Sequence, residues 1–471
     1  MPHAPEPESH QLSRQLALRD LVLTQILTVV GSSWVGVAAG LGRAQALVWI
    51  AAMTLFYLPM AVSVYFLNRE MPLEGGLYVW ARTAFGDAGG FMTAWNIWAY
   101  GLATMAAILF QIPSEAAYML GPWASSLPEN HLFVFTLLAL LLAGLALSAV
   151  RGLALGKWIH NISGAAMLTV FALLIGTPLW AIAHRQPIHY AALAMHLPHP
   201  DLVSLALMGQ MFGAMSGLEY VAILAGETNS PSRDIGRSVV IASPIICAMF
   251  IFGTGSVVAF HELHPNIAIN YIAPIPQTLR QALGDRGLSS FIAGVAILLL
   301  QIRILGAASF LFTGVTRLPM TAGWDDLIPE WFSRLHPTYR TPTNSIWLGT
   351  AIVAGLLLFA SAGVKAAEAF QVLNNAASEL YSLAYLAMFA IPIVGAKLLR
   401  KRLPGWVKVT SAAGFLTTSF TFLLTAYPFV DVVDARTYAV KILGTTAIAN
   451  GIGFIFYRVR RSKTGTLNGA R

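Results

Sequence analysis

The stretch Gly31-Ser32-Ser33-Trp34-Val35-Gly36 interrupts an otherwise apolar span near the start of the chain. A second cluster, Gly213-Ala214-Met215-Ser216-Gly217, interrupts a later apolar span and is followed at once by Leu218 and Glu219. Hydrocarbon does not tolerate unpaired backbone groups, so such breaks must face protein or a water-filled cavity. Paired interruptions in corresponding spans are the best sequence indicator of a substrate site in a transporter. The two clusters therefore predict a secondary transporter whose ligand lies between them.

The composition is that of an integral membrane protein. Only 11% of the 471 residues are charged, 56% are hydrophobic, and the mean hydropathy is +0.66. A soluble domain carries about 25% charged residues. The longest polar stretches are residues 1–19, a segment around 261–287 and the last 14 residues. The single cysteine, Cys247, excludes an internal disulfide.

Twelve segments are long and apolar enough, at about 20 residues each, to cross a bilayer as α-helices. They are residues 20–41, 45–68, 88–118, 131–150, 157–183, 201–226, 236–260, 287–317, 344–361, 366–395, 405–427 and 436–457. The sequence therefore predicts an all-α membrane protein with twelve transmembrane helices. Residues 20–457 form a single transporter domain in this interpretation, between a cytoplasmic tail at 1–19 and a basic cytoplasmic tail at 458–471.

The lysines and arginines are distributed unevenly between the two sides of these spans. If the N-terminus is cytoplasmic, 21 of the 29 basic residues fall on the cytoplasmic side, seven fall outside, and Arg303 lies within the eighth span. This asymmetry predicts a multi-pass protein of the cell membrane with both termini in the cytoplasm. It also accounts for the net charge of +8 without a nucleic-acid partner.

The breaks fall in predicted spans one and six, which divides the helices into five, five and two. Because five is odd, the second group enters the membrane from the opposite side, as in an inverted repeat. The sequence thus predicts repeat one at residues 20–183, repeat two at 201–395 and two extra helices at 405–457.

A broken helix offers both kinds of backbone group to a ligand. It frees N–H groups at the start of one half-helix and C=O groups at the end of the other, and the helix dipoles add matching potentials. A zwitterion fits this pair of ends, with its carboxylate on the amides of Ser32, Ser33 and Trp34 and its ammonium on carbonyls near Gly213 and Ser216. The alternative is that these glycines only permit close helix packing.

Four segments occur in the order found in a known family. They are Gly31-Ser32-Ser33, residues 72–80 (PLEGGLYVW), Gly217-Leu218-Glu219 with residues 224–231 (LAGETNSP), and residues 326–332 (DLIPEWF) with 340–342 (RTP). The chain resembles the amino acid–polyamine–organocation permeases, the APC superfamily, whose fold is of the LeuT type. The resemblance implies alternating access, with helices 1 and 6 discontinuous.

The resemblance also implies roles for single residues. Ser32 and Ser33 bind the substrate carboxylate, and the carbonyls of Val29, Gly213 and Ser216 bind its amino group. Some members carry a gating aromatic residue at the position of Gly213, so either the pocket is larger here or Trp34 acts as the gate. Gly36 and Gly217 border the two breaks, and Tyr100 in span three is expected to line the pocket, unless it is only a packed aromatic.

Glu219 and Arg303 fall at membrane depth, where a charge is expensive and is a functional candidate. Glu219 directly follows the second break and is predicted to carry a coupled proton, the alternative being a neutral structural carboxyl. Arg303 needs an anionic or carbonyl partner, for which Glu219, Glu115 or an anionic substrate are candidates. It is therefore either half of a structural ion pair or a selectivity residue that contacts a substrate carboxylate.

The substrate and the coupling ion are less determined. Leu224-Ala225-Gly226-Glu227 and Pro329-Glu330-Trp331-Phe332 resemble the plant and bacterial polyamine permeases. The position of the acidic residue that those permeases have in helix eight is occupied here by Leu311, and Arg303 adds a cation, which favours amino acids over polyamines. Ser309 and Thr313, with carbonyls near Val30, offer part of a sodium site. Protons are nevertheless favoured over sodium, and symport and exchange both stay open.

Other function classes find less support. No H-E-x-x-H or G-x-S-x-G pattern occurs, so neither an enzyme, a metal site nor a cofactor is expected. Repeated pore motifs or charge rings, which a channel would need, are missing. A non-transporting amino acid receptor on the same fold stays open, because its binding residues would look the same.

Overall fold

The computed structural model describes residues 17–70, 76–152, 156–218, 231–321, 330–394 and 403–468. All regular secondary structure within these ranges is helical. The predicted all-α class is therefore confirmed.

Sixteen α-helices are described within these ranges. They are α1 (Leu18–Val29), α2 (Ser32–Ala39), α3 (Gln45–Ala52), α4 (Leu58–Glu70), α5 (Leu77–Leu120), α6 (His131–Val150), α7 (Gly156–Ala183), α8 (Leu202–Ala214), α9 (Pro231–Leu263), α10 (Pro274–Leu283), α11 (Gly287–Thr321), α12 (Glu330–Ser333), α13 (Thr343–Ser361), α14 (Ala366–Val394), α15 (Gly405–Leu424) and α16 (Ala435–Asn468). A π-helical turn, Met53–Tyr57, joins α3 to α4.

Ten helical segments in the described ranges are long and apolar enough to cross a membrane, and one of them, Gly42–Arg69, contains α3, the π-helical turn and α4. The pair α1 and α2, bent by 49°, makes an eleventh candidate span. The sixth predicted span is described only through α8 and the residues that follow it as far as Leu218. The number twelve and the inverted repeat stay predictions. The last helix, α16, continues to Asn468, beyond the predicted end of the span at residue 457.

The first break follows from the extended backbone between α1 and α2. Val30 (φ −80°, ψ 104°) and Gly31 (φ −101°, ψ 141°) both leave the helical region. The first amide groups of α2 lack intrahelical partners because they begin a helix. No side chain caps this start either. Beyond the end of α8, Gly217 has φ +112°, a conformation that residues with a side chain rarely adopt. The continuation of this predicted span, and with it the second break, lies outside the described residues.

Within the polar stretch around residues 261–287, the structure has a helix, α10, that the sequence did not predict. It begins with Pro274, whose missing N–H costs nothing at a helix start. It ends before Gly284, which has φ +72°. Its buried face includes Ile275 and Leu279, and it packs against α2, α5, α7, α9 and α11. A short amphipathic helix thus covers one end of the bundle, and this end is called the α10 side below.

The centre of the bundle is built around α5. This helix is kinked at Gly86 (φ +78°), and it packs most extensively against α14 and α11. Large apolar side chains on peripheral helices, such as Leu140, Leu416 and Leu423, stay exposed. An exposed apolar periphery fits a protein surrounded by lipid.

Candidate substrate-binding cavity

A cavity of about 430 Å³ lies at the centre of the bundle. Its wall is formed mainly by α1, α2, α5, α8, α11, α14 and α15, with Phe56 of the π-helical turn and Ser163 of α7. The volume is in the range of small-molecule binding sites, which are mostly apolar with a few polar groups. Both glycine clusters reach this cavity.

The first break supplies one wall of the cavity. Val29, Gly31, Ser32, Ser33 and Trp34 all line it. The indole of Trp34 lies over the break, since a Cβ at position 31 would be 2.6 Å from its Cδ1 atom. The start of α2, with its uncapped amides, therefore borders the space available to a ligand.

The end of α8 supplies the facing wall. Gly213, Ala214 and Ser216 line the cavity. The amide N–H of Gly217 donates a hydrogen bond of 2.9 Å to the hydroxyl of Tyr385 on α14. Gly217 does not line the cavity, and its amide is bonded to α14 instead.

Stacked tyrosines form a third wall. The rings of Tyr100 and Tyr381 are stacked with centroids 3.8 Å apart, and Tyr385 follows at 4.5 Å from Tyr381. Phe56 meets Tyr385 edge to face at 5.4 Å. Tyr381 and Tyr385 were not among the sequence candidates. Together with Phe370 they recur at helical spacing along α14, and this stripe was the available signal.

A buried polar network lies behind α2. Gln111 on α5 places its Nε2 2.8 Å from Ser32 Oγ, 2.8 Å from Glu115 Oε1 and 3.0 Å from the Ile272 carbonyl. Ser32 Oγ donates to Glu115 at 3.4 Å, and Gln301 Nε2 donates to its other oxygen at 3.0 Å. Glu115 is fully buried and does not line the cavity. The network fixes Ser32 relative to α5 and α11.

Arg303 reaches the first break directly. Its side chain lines the cavity, and its Nη2 donates to the carbonyl of Val30 at 3.1 Å. The partner in hydrogen bonding is thus a carbonyl freed by the break rather than a carboxylate. Ser309 and Thr313 line the cavity further along the same helix.

Besides Gly217 and Glu115, two further sequence candidates lie away from the cavity or beyond the described residues. Gly36 packs against α10, where an added Cβ would be 2.8 Å from Pro274. Glu219 lies outside the described residues. Gly36 therefore lies at a close contact between two helices, as expected if this glycine only permits close packing.

An apolar cluster lies between the cavity and the α10 side. Val37, Leu207 and Phe429 form a buried cluster there, against which Trp34 and Tyr271 pack. The rings of Tyr271 and Phe429 meet edge to face at 5.6 Å. Apolar contacts between α2, α8 and the segment before α16 thus separate the cavity from this end of the bundle.

Towards the opposite end, the lining continues to Ser163 on α7 and Arg317 on α11. Arg317 is only four residues from the end of α11. Within the described ranges, no group of three or more His, Cys, Asp or Glu residues is arranged to hold a metal ion. The arrangement is suited to binding and releasing a small polar molecule.

Comparison with protein families matches residues 20–452 to the family described as amino acid permease. The match covers the chain from α1 into α16. It includes both breaks and every described residue that lines the cavity.

Curated relatives are similar over about three quarters of the chain. A transporter of Legionella pneumophila named lpg1691, which is uncharacterised, is 24% identical over 79% of this chain and 79% of its own length. AguD of Lactococcus lactis, named a probable agmatine/putrescine antiporter, is 24% identical over 73% of this chain and 70% of its own. The serine/threonine exchanger SteT of Bacillus subtilis is 23% identical over 75% of this chain and 78% of its own.

Proposed function

The chain belongs to the amino acid permease family, and we propose that it is a secondary transporter that carries an amino acid across the cell membrane by alternating access. The observation that carries this proposal is the cavity of about 430 Å³ enclosed between the first break and the end of α8. Backbone ends of both signs meet there, and they match the two charges of a zwitterion.

The proposed binding mode uses the backbone more than the side chains. The substrate carboxylate takes the amides of Ser32, Ser33 and Trp34 at the start of α2. Its ammonium takes the carbonyls of Val29, Gly213 and Ser216, all of which line the cavity. Tyr100 and Tyr381 cover the apolar part of the substrate. The carbonyl of Val30 already accepts from the charged Arg303 side chain, and the carbonyl of Gly213 already accepts from the Ser216 amide at 3.1 Å, which leaves it one lone pair for the ammonium.

The apolar cluster between the cavity and the α10 side suggests which state of the transport cycle is described. If the basic residues place Arg317 at the cytoplasmic end, the cavity reaches towards the cytoplasm and is sealed from the outside. Opening to the outside would then require α2 to separate from α10 and Phe429. Trp34, which contacts both the cavity and this closing cluster, would act as the gate.

For the coupling ion, we favour protons over sodium. A sodium site between spans one and eight needs carbonyls near Val30, where the guanidinium of Arg303 already lies at 3.1 Å. A second cation there would be repelled. Uptake into vesicles should therefore be unchanged when sodium is replaced by potassium. We propose Glu219 as the proton carrier, and Glu219→Gln should flatten the dependence of uptake on pH.

A polyamine antiporter is the second candidate, because AguD is named as one. Two or more ammonium groups need carboxylates along the cavity, and none of the described lining residues supplies one. A receptor that binds without transport is a further alternative. Accumulation in sealed vesicles separates the receptor from a transporter, and competition by amino acids or putrescine separates the two substrates.

The test of the site uses two variants in proteoliposomes. Gly31→Leu places a side chain where even a Cβ meets the ring of Trp34 at 2.6 Å, and Ser32→Pro removes one amide. Both should abolish uptake while leaving membrane insertion intact. Gly355→Leu is the matched control, since Gly355 is exposed on α13 and an added Cβ there meets nothing within 4 Å. Normal uptake by both variants would exclude the break as the substrate site.

A further inference from the structure

The charges that line the cavity have one sign among the described residues. Arg303 and Arg317, both on α11, line it, and no described aspartate or glutamate does. The two arginines are 14 residues apart in sequence, which along an α-helix is roughly 21 Å. The positive potential therefore extends from the first break to the opposite end of the cavity.

Arg303 has donor capacity that the protein does not use. Its side chain is only 8% exposed. Its Nη2 donates to Val30, whereas its Nε has no hydrogen-bond partner among the described residues. A guanidinium is always charged, so burial without a carboxylate partner is costly. Nε itself is buried, whereas the side chain as a whole lines the cavity.

Glu115 interacts electrostatically with Arg303, but its hydrogen bonds come from other groups. One of its oxygens accepts from Gln111 and Ser32, and the other accepts from Gln301. Within the described ranges, no ion pair joins Glu115 to Arg303. The neutral donors hold the carboxylate behind α2, away from the cavity, so a ligand can approach Arg303 from the cavity side.

We propose that the substrate is an acidic amino acid and that Arg303 receives its side-chain carboxylate, an inference that rests on the proposed transport function. The planar fork of a guanidinium matches a carboxylate with two hydrogen bonds. Arg303 contacts Val30, two residues before Ser32, so one small molecule can reach both Arg303 and the amides of α2. The second negative charge of an acidic amino acid offsets the positive charge of the buried Arg303.

The same charges act against other substrates. A lysine, an arginine or a polyamine would bring a net positive charge into a cavity lined by two arginines, which works against binding. A neutral amino acid would bind only through its backbone groups and would leave Arg303 with no more than its electrostatic interaction with Glu115. Arg317 lies at the opposite end of the cavity. Its charge attracts an anion that moves through the cavity, but Arg317 does not contact an anion bound at the break.

The first test needs no variant. Protein purified in detergent is titrated with L-glutamate, L-aspartate, L-serine, L-leucine, L-arginine and putrescine, and binding is followed by thermal shift and by tryptophan fluorescence. Glutamate or aspartate should bind at least about tenfold more tightly than serine or leucine, as expected for a charge-assisted hydrogen bond. Arginine and putrescine should not bind. Tighter binding of a neutral amino acid or of putrescine would overturn the inference.

The second test asks whether Arg303 recognises the side chain. Arg303→Gln should weaken the binding of glutamate and aspartate far more than that of serine and so lose the preference for acidic ligands, and Arg303→Lys should retain part of the preference. Arg43→Gln is the control, because Arg43 pairs with Glu262 at 2.9 Å away from the cavity. If Arg303→Gln weakens glutamate and serine equally, Arg303 does not contact the second carboxylate.

The two proposals fail in different ways. Acidic amino acids that bind but never accumulate in proteoliposomes would contradict transport and leave the inference standing. Uptake of serine or leucine with no acidic preference in either assay would support transport and refute the role of Arg303.

Discussion

Gln111 on α5 and Ser32 at the start of α2 are joined by a hydrogen bond of 2.8 Å between Nε2 and Oγ. The same amide lies 3.0 Å from the Ile272 carbonyl in the segment that leads into α10. One buried side chain therefore connects the broken helix, the central helix and the covering helix. Rearrangement of α2 during transport must break or carry along this connection.

Replacing Gln111 by alanine should weaken substrate binding. The change leaves Ser32 and Glu115 with one donor fewer, at a cost of about 1–3 kcal/mol for buried polar groups. We expect the KM of uptake to rise about tenfold. Asn344→Ala removes a surface hydrogen bond to Trp331 and serves as the control. An unchanged KM would mean that the network does not position Ser32.

The glycines of the two breaks should respond differently to the same substitution. Gly36→Ala places a Cβ 2.8 Å from Pro274, so α2 and α10 must move apart, whereas a Cβ at Gly213 meets Thr421 at an ordinary 3.6 Å. Overpacking of this kind costs about 1–3 kcal/mol. Gly36→Ala should lower the melting temperature of the purified protein by several degrees, and Gly213→Ala should not. Equal melting temperatures would contradict the tight packing of α2 against α10.

Tyr385→Phe tests the support of the second break. Its hydroxyl accepts from the buried amide of Gly217 at 2.9 Å, and loss of this bond costs about 1 kcal/mol. The ring contacts with Phe56 and Tyr381 are kept. The uptake rate should fall several-fold with little change in the amount of folded protein, whereas Tyr339→Phe, at an exposed ring, should be neutral. Wild-type rates for both variants would show that the bond to Gly217 does not matter for transport.

Local sequence patterns were sufficient to predict which segments are helical, but not which face of each helix is buried. The run of apolar residues predicted spans such as 131–150 and 366–395, and the structure has helices within one residue of these bounds. The break at Gly31 was predictable because its cause is local. The helix α10 was not, since its ten residues are too polar on average to resemble a span and its burial depends on five other helices.

The residues of the cavity were likewise only partly predictable from the sequence. Ser32, Ser33, Gly213 and Ser216 were found from their position beside the breaks. Tyr381 could not be singled out, because which face of α14 points to the cavity depends on how α5 and α15 pack around it. The hydrogen bonds of Glu115 likewise join residues separated by as many as 186 positions, and such contacts exist only in the folded chain.

Glu379 on α14 offers a test of stability that is independent of the cavity. Its side chain is fully buried, neither carboxyl oxygen has a hydrogen-bond partner among the described residues, and it does not line the cavity. Burial of a carboxyl group without partners is unfavourable, and replacement of buried charged groups by apolar ones of similar volume often stabilises a protein by about 1–4 kcal/mol. Glu379→Met should therefore raise the melting temperature and leave uptake unchanged. The control is Glu368→Met, which removes an acceptor of the Val433 amide at 2.9 Å and should lower the melting temperature. A fall in stability or uptake for Glu379→Met would instead assign this carboxyl a binding partner within the membrane.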